Sequence, residues 1–233
     1  MNRATRRAFD QTVGVLIETY EQTGPFPDQE AIPLLLADEV RKCLEIGKQI
    51  DVAEEPAPPE EIDELGTHAL ECLSDLGLWA WQLKLDEIRA EIENIAFDIA
   101  QWLVGHGGVV SVLEPVVNSI TRKANATRDP ATLSALFDST SAVIVGAKLG
   151  SAEITDPAGL QPWLALHFNY AIIATRTLNP ERINAACDLL EERLPGHCAA
   201  FYEEGLREAG KKANGETVRE IFDARLAKWT HRD

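Results

Sequence analysis

The chain is short of positive charge. Its 233 residues carry 22 Lys and Arg against 38 Asp and Glu, a formal net charge of -16. Phosphate contacts need a concentrated basic surface, so generic nucleic-acid binding is not expected. Cysteine is also sparse. Cys43, Cys72, Cys187 and Cys198 form no C-x-x-C pair and fall near apolar positions of helical patterns. They read as reduced, small hydrophobic residues, which suits a cytoplasmic protein better than a disulfide framework or a zinc site. No apolar run reaches the roughly 18 residues that a membrane-spanning helix needs. The opening segment MNRATRRAFDQTVGVLIETY has no uninterrupted apolar stretch and no small-residue cleavage site, so no secretory signal is expected.

The usual marks of catalysis are missing as well. There is no G-x-S-x-G elbow to strain and expose a nucleophilic serine. The glycine groups GHGG at 105–108 and GAKLGS at 146–151 lack the ordered spacing of a phosphate-binding loop. His197 sits between Cys187 and Cys198, but Cys198 is its immediate neighbour in the chain, so the two side chains diverge.

What the sequence does contain is helical periodicity. Phe9, Val13, Leu16, Ile17 and Tyr20 share one stripe, and Gly24-Pro25-Phe26-Pro27 ends it. Asp28 is placed to cap a second helix with Leu36, Val40, Cys43, Leu44 and Gly47 inward. A third carries Ile62, Leu65, Ala69, Cys72, Leu73, Leu76 and Ala80. A fourth carries Ile88, Ile92, Ile95, Ile99 and Leu103, with any tight turn between them confined to Leu83–Asp86. A fifth helix is expected over Val109–Asn125; the β-branched stretches 109–117 and 142–145 are alternative strands, but neither alternates and the chain supplies no partner sheet. Asp129-Pro130, Asp156-Pro157 and Asn179-Pro180 each place a capping side chain before a proline at the first helical position. They open helices six, seven and eight, the sixth running to Gly150. Two more follow at about 198–210 and 217–229. The expectation is one all-α domain over 1–233, with nine or ten helices in irregular antiparallel hairpins, as a compact bundle or a short solenoid. The acidic, proline-rich stretch 51–58 reads as an exposed linker, with Pro59-Glu60-Glu61 starting the next helix.

Residues 181–210, ERINAACDLLEERLPGHCAAFYEEGLREAG, resemble a single tetratricopeptide unit, with small residues near a tight turn and Phe201 in the second helix. The tryptophan, glycine and tyrosine landmarks of that family's first helix are absent. The resemblance therefore implies an irregular helical repeat and no membership.

Several residues are candidates for function. Glu61, Glu64, His68 and Glu71 recur at spacings of 3, 4 and 3, and Glu91 lies on the following helix. Carboxylate and imidazole suit Fe, Mn or Zn, so a divalent metal site is the alternative to a protein with no cofactor. His167 shares a stripe with Leu160, Leu164, Ala171 and Ala174 and should point inward, where Tyr170 and Arg176 are within reach of a shared pocket. Of five tryptophans, Trp79 and Trp81 are two apart and cannot both face one core. One of them is free for a neighbour, an interface or a groove. Arg3, Arg6 and Arg7 at one end, with Lys211, Lys212, Arg219, Arg225, Lys228 and Arg232 at the other, contrast with an acidic middle. The expected function is a non-catalytic interaction or adaptor module that binds another protein or itself. The alternative is a helical metal-dependent enzyme or a small-molecule-binding protein.

Overall fold

The computed structural model describes residues 1, 3–23, 32–148, 160–210 and 215–229. They form ten α-helices: α1 (Arg3–Thr23), α2 (Pro33–Val52), α3 (Pro59–Gln82), α4 (Asp86–Gly105), α5 (Glu114–Ala126), α6 (Pro130–Gly146), α7 (Leu160–Thr177), α8 (Pro180–Arg193), α9 (Cys198–Ala209) and α10 (Glu216–Trp229). One 3-10 turn, Pro195–His197, joins α8 to α9. Among the described residues there is no strand, only an isolated parallel bridge between Val110 and Ala147. No described helix is long and apolar enough to cross a membrane. The Gly24–Pro27 stop, the Asp28 and Asp156 caps, and Lys211, Lys212 and Arg232 lie outside the described residues.

The chain divides into two compact units. The first holds Met1–Arg122 with Ala142–Pro162, the second Lys123–Ser141 with Trp163–Asp233. In the first unit α1 packs on α2 and α4, and α3 also packs on α2 and α4. The four therefore close into a ring, a four-helix bundle rather than a solenoid. Ion pairs fix the register: Arg6 meets Glu45 and, four residues on, Asp10 meets Arg41, so α1 and α2 are antiparallel. Thr5 at the start of α1 donates to Asp98 near the end of α4 (3.1 Å). The inward stripes meet as their spacing predicts, with Phe9, Val13, Leu16, Val40, Leu44, Ile62, Leu73, Leu76, Ile92, Ile95, Ile99 and Leu103 all buried. Each such side chain contributes about 1.5–3 kcal/mol relative to exposure.

Only Leu83, Lys84 and Leu85 separate α3 from α4. Lys84 adopts a left-handed φ of 59°, its N–H bonds Trp81 O (3.0 Å), and Leu85 N–H reaches back to Ala80 O (2.8 Å). This paired closure satisfies carbonyls that the helix end would leave open. The same closure recurs after α4, with Gly107 at φ 79° and Gly108 N–H on Leu103 O (2.9 Å). At Gly108 a Cβ would crowd Leu103, Ile62 and Asp63.

Three expectations need correction. The fifth helix starts at Glu114, not Val109: residues 109–113 are not helical, and Val110 instead forms the bridge to Ala147. Val110 N–H bonds Gly146 O (3.0 Å), and Lys148 N–H bonds Val110 O (3.1 Å). Pro115 explains the late start: further inside a helix it would remove a backbone donor and clash with the carbonyl four residues earlier. The sixth helix ends at Gly146, where this bridge takes over. The acidic linker is also shorter than 51–58. Asp51 and Val52 form the last turn of α2, and Ala53 is its C-cap. Pro59, Glu60 and Glu61 begin α3 as expected.

In the second unit, Asn179 Oδ1 accepts from Glu181 N–H (2.9 Å) and Arg182 N–H (3.1 Å), capping α8 ahead of Pro180. Asp129 accepts from Thr132 N–H (2.8 Å) and does the same for α6. Phe168 stacks on Phe201 (5.7 Å between centroids), and Phe222 of α10 lies against Phe201 (5.7 Å) and Tyr202 (5.1 Å) of α9. Gly205 lets α10 approach α9, since a Cβ there would overlap the Phe222 ring. Buried Arg225 ties α10 to α8 through Asp188 (2.8 Å), Glu191 (3.0 Å) and Asn184 Oδ1 (2.9 Å). Glu191 also accepts from Tyr202 Oη (2.8 Å). All four cysteines are free and buried, and burial pushes each thiol up to about 11. Nucleophilic thiolate chemistry at neutral pH is thereby disfavoured.

Candidate interaction surface

Trp79 and Trp81 separate as the two-residue spacing requires. Trp79 is buried and meets Tyr20 of α1 edge-on, with ring centroids 5.0 Å apart. Trp81 is 59% exposed, and Leu78, one turn before it, is 55% exposed. Leaving a large indole in water forgoes stabilisation that burial would supply, so this pair is the least expected feature of α3.

The rest of the outward face of α3 is acidic. Glu60, Glu64, Glu71 and Asp75 recur on the stripe that ends at Leu78 and Gln82, with Glu61 at its margin; all are exposed. None of these carboxylates forms an ion pair among the described residues. His68 lies on the flank toward α2, its Nε2 3.6 Å from Glu39 and 3.8 Å from Cys72 Sγ. Glu91 of α4 instead accepts from Asn94 Nδ2 (3.0 Å). Glu61, Glu64, His68 and Glu91 are therefore not drawn together. Among the described residues no group of three or more His, Cys, Asp or Glu side chains is placed to hold a metal ion.

His167 points inward as its stripe predicts. Nδ1 lies 2.8 Å from Trp163 O, the ring packs against the Trp163 indole at 4.3 Å, and Nε2 has no hydrogen-bond partner among the described residues. Tyr170 Oη donates to Ser141 Oγ (3.2 Å) while its ring stacks on Phe137 (4.6 Å). Arg176 bonds the carbonyls of Ala124 (2.6 Å) and Thr127 beyond the last turn of α5. The three side chains thus have separate engagements, and Arg176 serves as a cation at a helix C-terminus.

Desolvation, aided by the positive charge of Arg193, lowers the His167 pKa below the ordinary histidine value. The folded protein holds the ring neutral, whereas the unfolded chain takes up a proton as pH drops through the ordinary histidine range. This contribution to stability is complete above that range and is lost as pH falls through it. His167→Gln should therefore flatten the decline in urea midpoint between about pH 7 and pH 5, a range set by the ordinary histidine pKa. An identical decline in both proteins would remove His167 as its source.

A polar cluster that the sequence did not reveal closes one end of the four-helix bundle. Asp51 accepts from Trp102 Nε1–H (2.7 Å), lies 3.2 Å from His106 Nε2, and pairs with the Met1 amino group. His106 Nδ1 lies 2.8 Å from Trp102 O, and its ring packs against Trp102 at 4.5 Å. A cavity of about 380 Å³ beside it is lined by Met1, Thr5, Asp51, Asp98, Ile99, Gln101 and Trp102. Both Asp51 oxygens are engaged, so the cluster works as a staple between the ends of α2 and α4. Finding it from sequence requires knowing that these helices end on the same side.

Comparison with protein-family models, curated proteins and solved structures finds no match to this chain.

Proposed function

We propose that the protein is a non-catalytic helical interaction module that contacts its partner through Leu78 and Trp81 of α3. The observation that carries this reading is the 59% exposure of Trp81 beside the buried Trp79. Aromatic side chains desolvate with little entropy loss and dominate binding energy at interfaces. The separate engagements of His167, Tyr170 and Arg176, and the placement of Glu61, Glu64 and His68 along α3 without a converging ligand from α4 among the described residues, favour this reading over a catalytic one.

The test is a crosslinked pull-down comparing wild type with the Leu78→Ala/Trp81→Ala variant. Both residues are exposed, so each change should alter stability by less than about 0.5 kcal/mol. The expected result is an unchanged melting temperature with loss of a reproducible partner. Identical recovery of partners by both proteins would overturn the reading.

A further inference from the structure

The charge around the exposed pair narrows the chemistry of what covers it. Leu78 and Trp81 follow Glu71 and Asp75 on the outward stripe of α3, and Asp86 and Glu87 open α4 after the three-residue turn. All four carboxylates are exposed and form no ion pair among the described residues. Glu60, Glu61 and Glu64 continue the negative charge along α3 toward its start. Lys84 lies within the turn and offsets only part of it.

We propose that the outward face of α3 docks a basic amphipathic helix of a partner protein. Its apolar residues would cover Leu78 and Trp81, and its Lys or Arg side chains would lie over Glu71 and Asp75. This rests on the interaction reading above and adds the class of partner. The combination is specific in physical terms. An apolar patch alone accepts any apolar surface, and an acidic stripe alone attracts any cation. Together they favour a segment that presents both features at helical spacing, because complementary charge steers the encounter and penalises partners of like charge. Anionic membranes and nucleic acids are repelled by the same carboxylates.

The experiment titrates a fluorescent 18-residue amphipathic helical peptide of leucine and lysine into the full chain at about 150 mM salt, where long-range attraction is screened beyond about 8 Å. A peptide with glutamate in place of lysine is the counterpart. Leu78→Ala/Trp81→Ala and Glu71→Lys/Asp75→Lys should each weaken binding of the lysine peptide about tenfold. Glu220→Lys/Asp223→Lys, the same charge change on exposed positions of α10, should alter it less than about twofold. Equal losses in both charge-reversed variants would reduce the effect to general attraction and overturn the proposal. Tighter binding of the glutamate peptide, binding to phosphatidylserine vesicles in preference to the peptide, or no peptide binding would each do the same. If the peptide fails while recovery of a cellular partner still depends on Leu78 and Trp81, the basic helix is excluded and the interaction reading stands. If neither depends on them, both fall.

Discussion

Replacing Glu93 by alanine is expected to destabilise the first unit by about 3 kcal/mol, the lower end of the cost of breaking a buried charge pair. Glu93 lies on the inner part of α4 and is only 5% exposed. One carboxylate oxygen accepts from Arg89 Nε–H (3.1 Å) and Asn118 Nδ2 (3.1 Å), and the other pairs with Arg122. Asn118 and Arg122 belong to α5, and Ser119 beside them donates to Asn94 Oδ1 of α4 (2.8 Å). Alanine leaves these donors facing a gap. The two guanidiniums are partly exposed, at 35% and 41%, and can turn toward water, which places the loss at the lower end of the range. Glu93→Gln retains an acceptor and the side-chain volume and should lose less. Arg122→Ala, which removes an already solvated partner, should lose least. Urea midpoints of the three variants test the order. A loss below about 1 kcal/mol for Glu93→Ala would match an exposed pair and refute the buried one.

The second large effect belongs to α9 and α10. Phe222→Ala should cost about 3–5 kcal/mol, because it removes a fully buried ring in contact with Phe201 and Tyr202. Gly205→Leu should cost about 1–3 kcal/mol by overpacking, since even a Cβ at Gly205 overlaps that ring. The informative protein is the double variant. With Phe222 reduced to alanine, the leucine has space and partly fills it, so the double variant should be more stable than Phe222→Ala alone. Losses that simply add, within about 0.5 kcal/mol, would show that the two positions do not share the space.

The helices were legible where the chain itself enforces them. Asn179-Pro180 and Asp129-Pro130 combine a capping side chain with a proline that needs no donor, and both start helices in the structure. The Ile92, Ile95, Ile99, Leu103 stripe is buried as its period requires. The outward direction of Trp81 followed from its distance to Trp79 once one of them had to pack inside. Pro115 and the β-branched residues Val109, Val110 and Val112 both carried a signal against helix over 109–113, but the run does not alternate and offered no partner strand nearby in sequence. Glu93 and Asp51 were not legible. Each is an ordinary charged residue in a helical segment until Arg122 or Trp102 and His106 is brought to it by lateral packing. Sequence periodicity specifies which side of a helix faces inward; it does not specify which neighbour arrives there.

The three residues joining α3 to α4 set an order in time. Closing so short a connection costs little chain entropy, and the two helices can zip from Ala80 and Leu85 outward through contacts close in sequence. The contacts of Thr5 with Asp98 and of Met1 with Asp51 require far longer stretches of chain to meet. The α3–α4 hairpin is thus the natural nucleus of its unit, with α1 added late. The exposed pair Leu78 and Trp81 sits on that early piece.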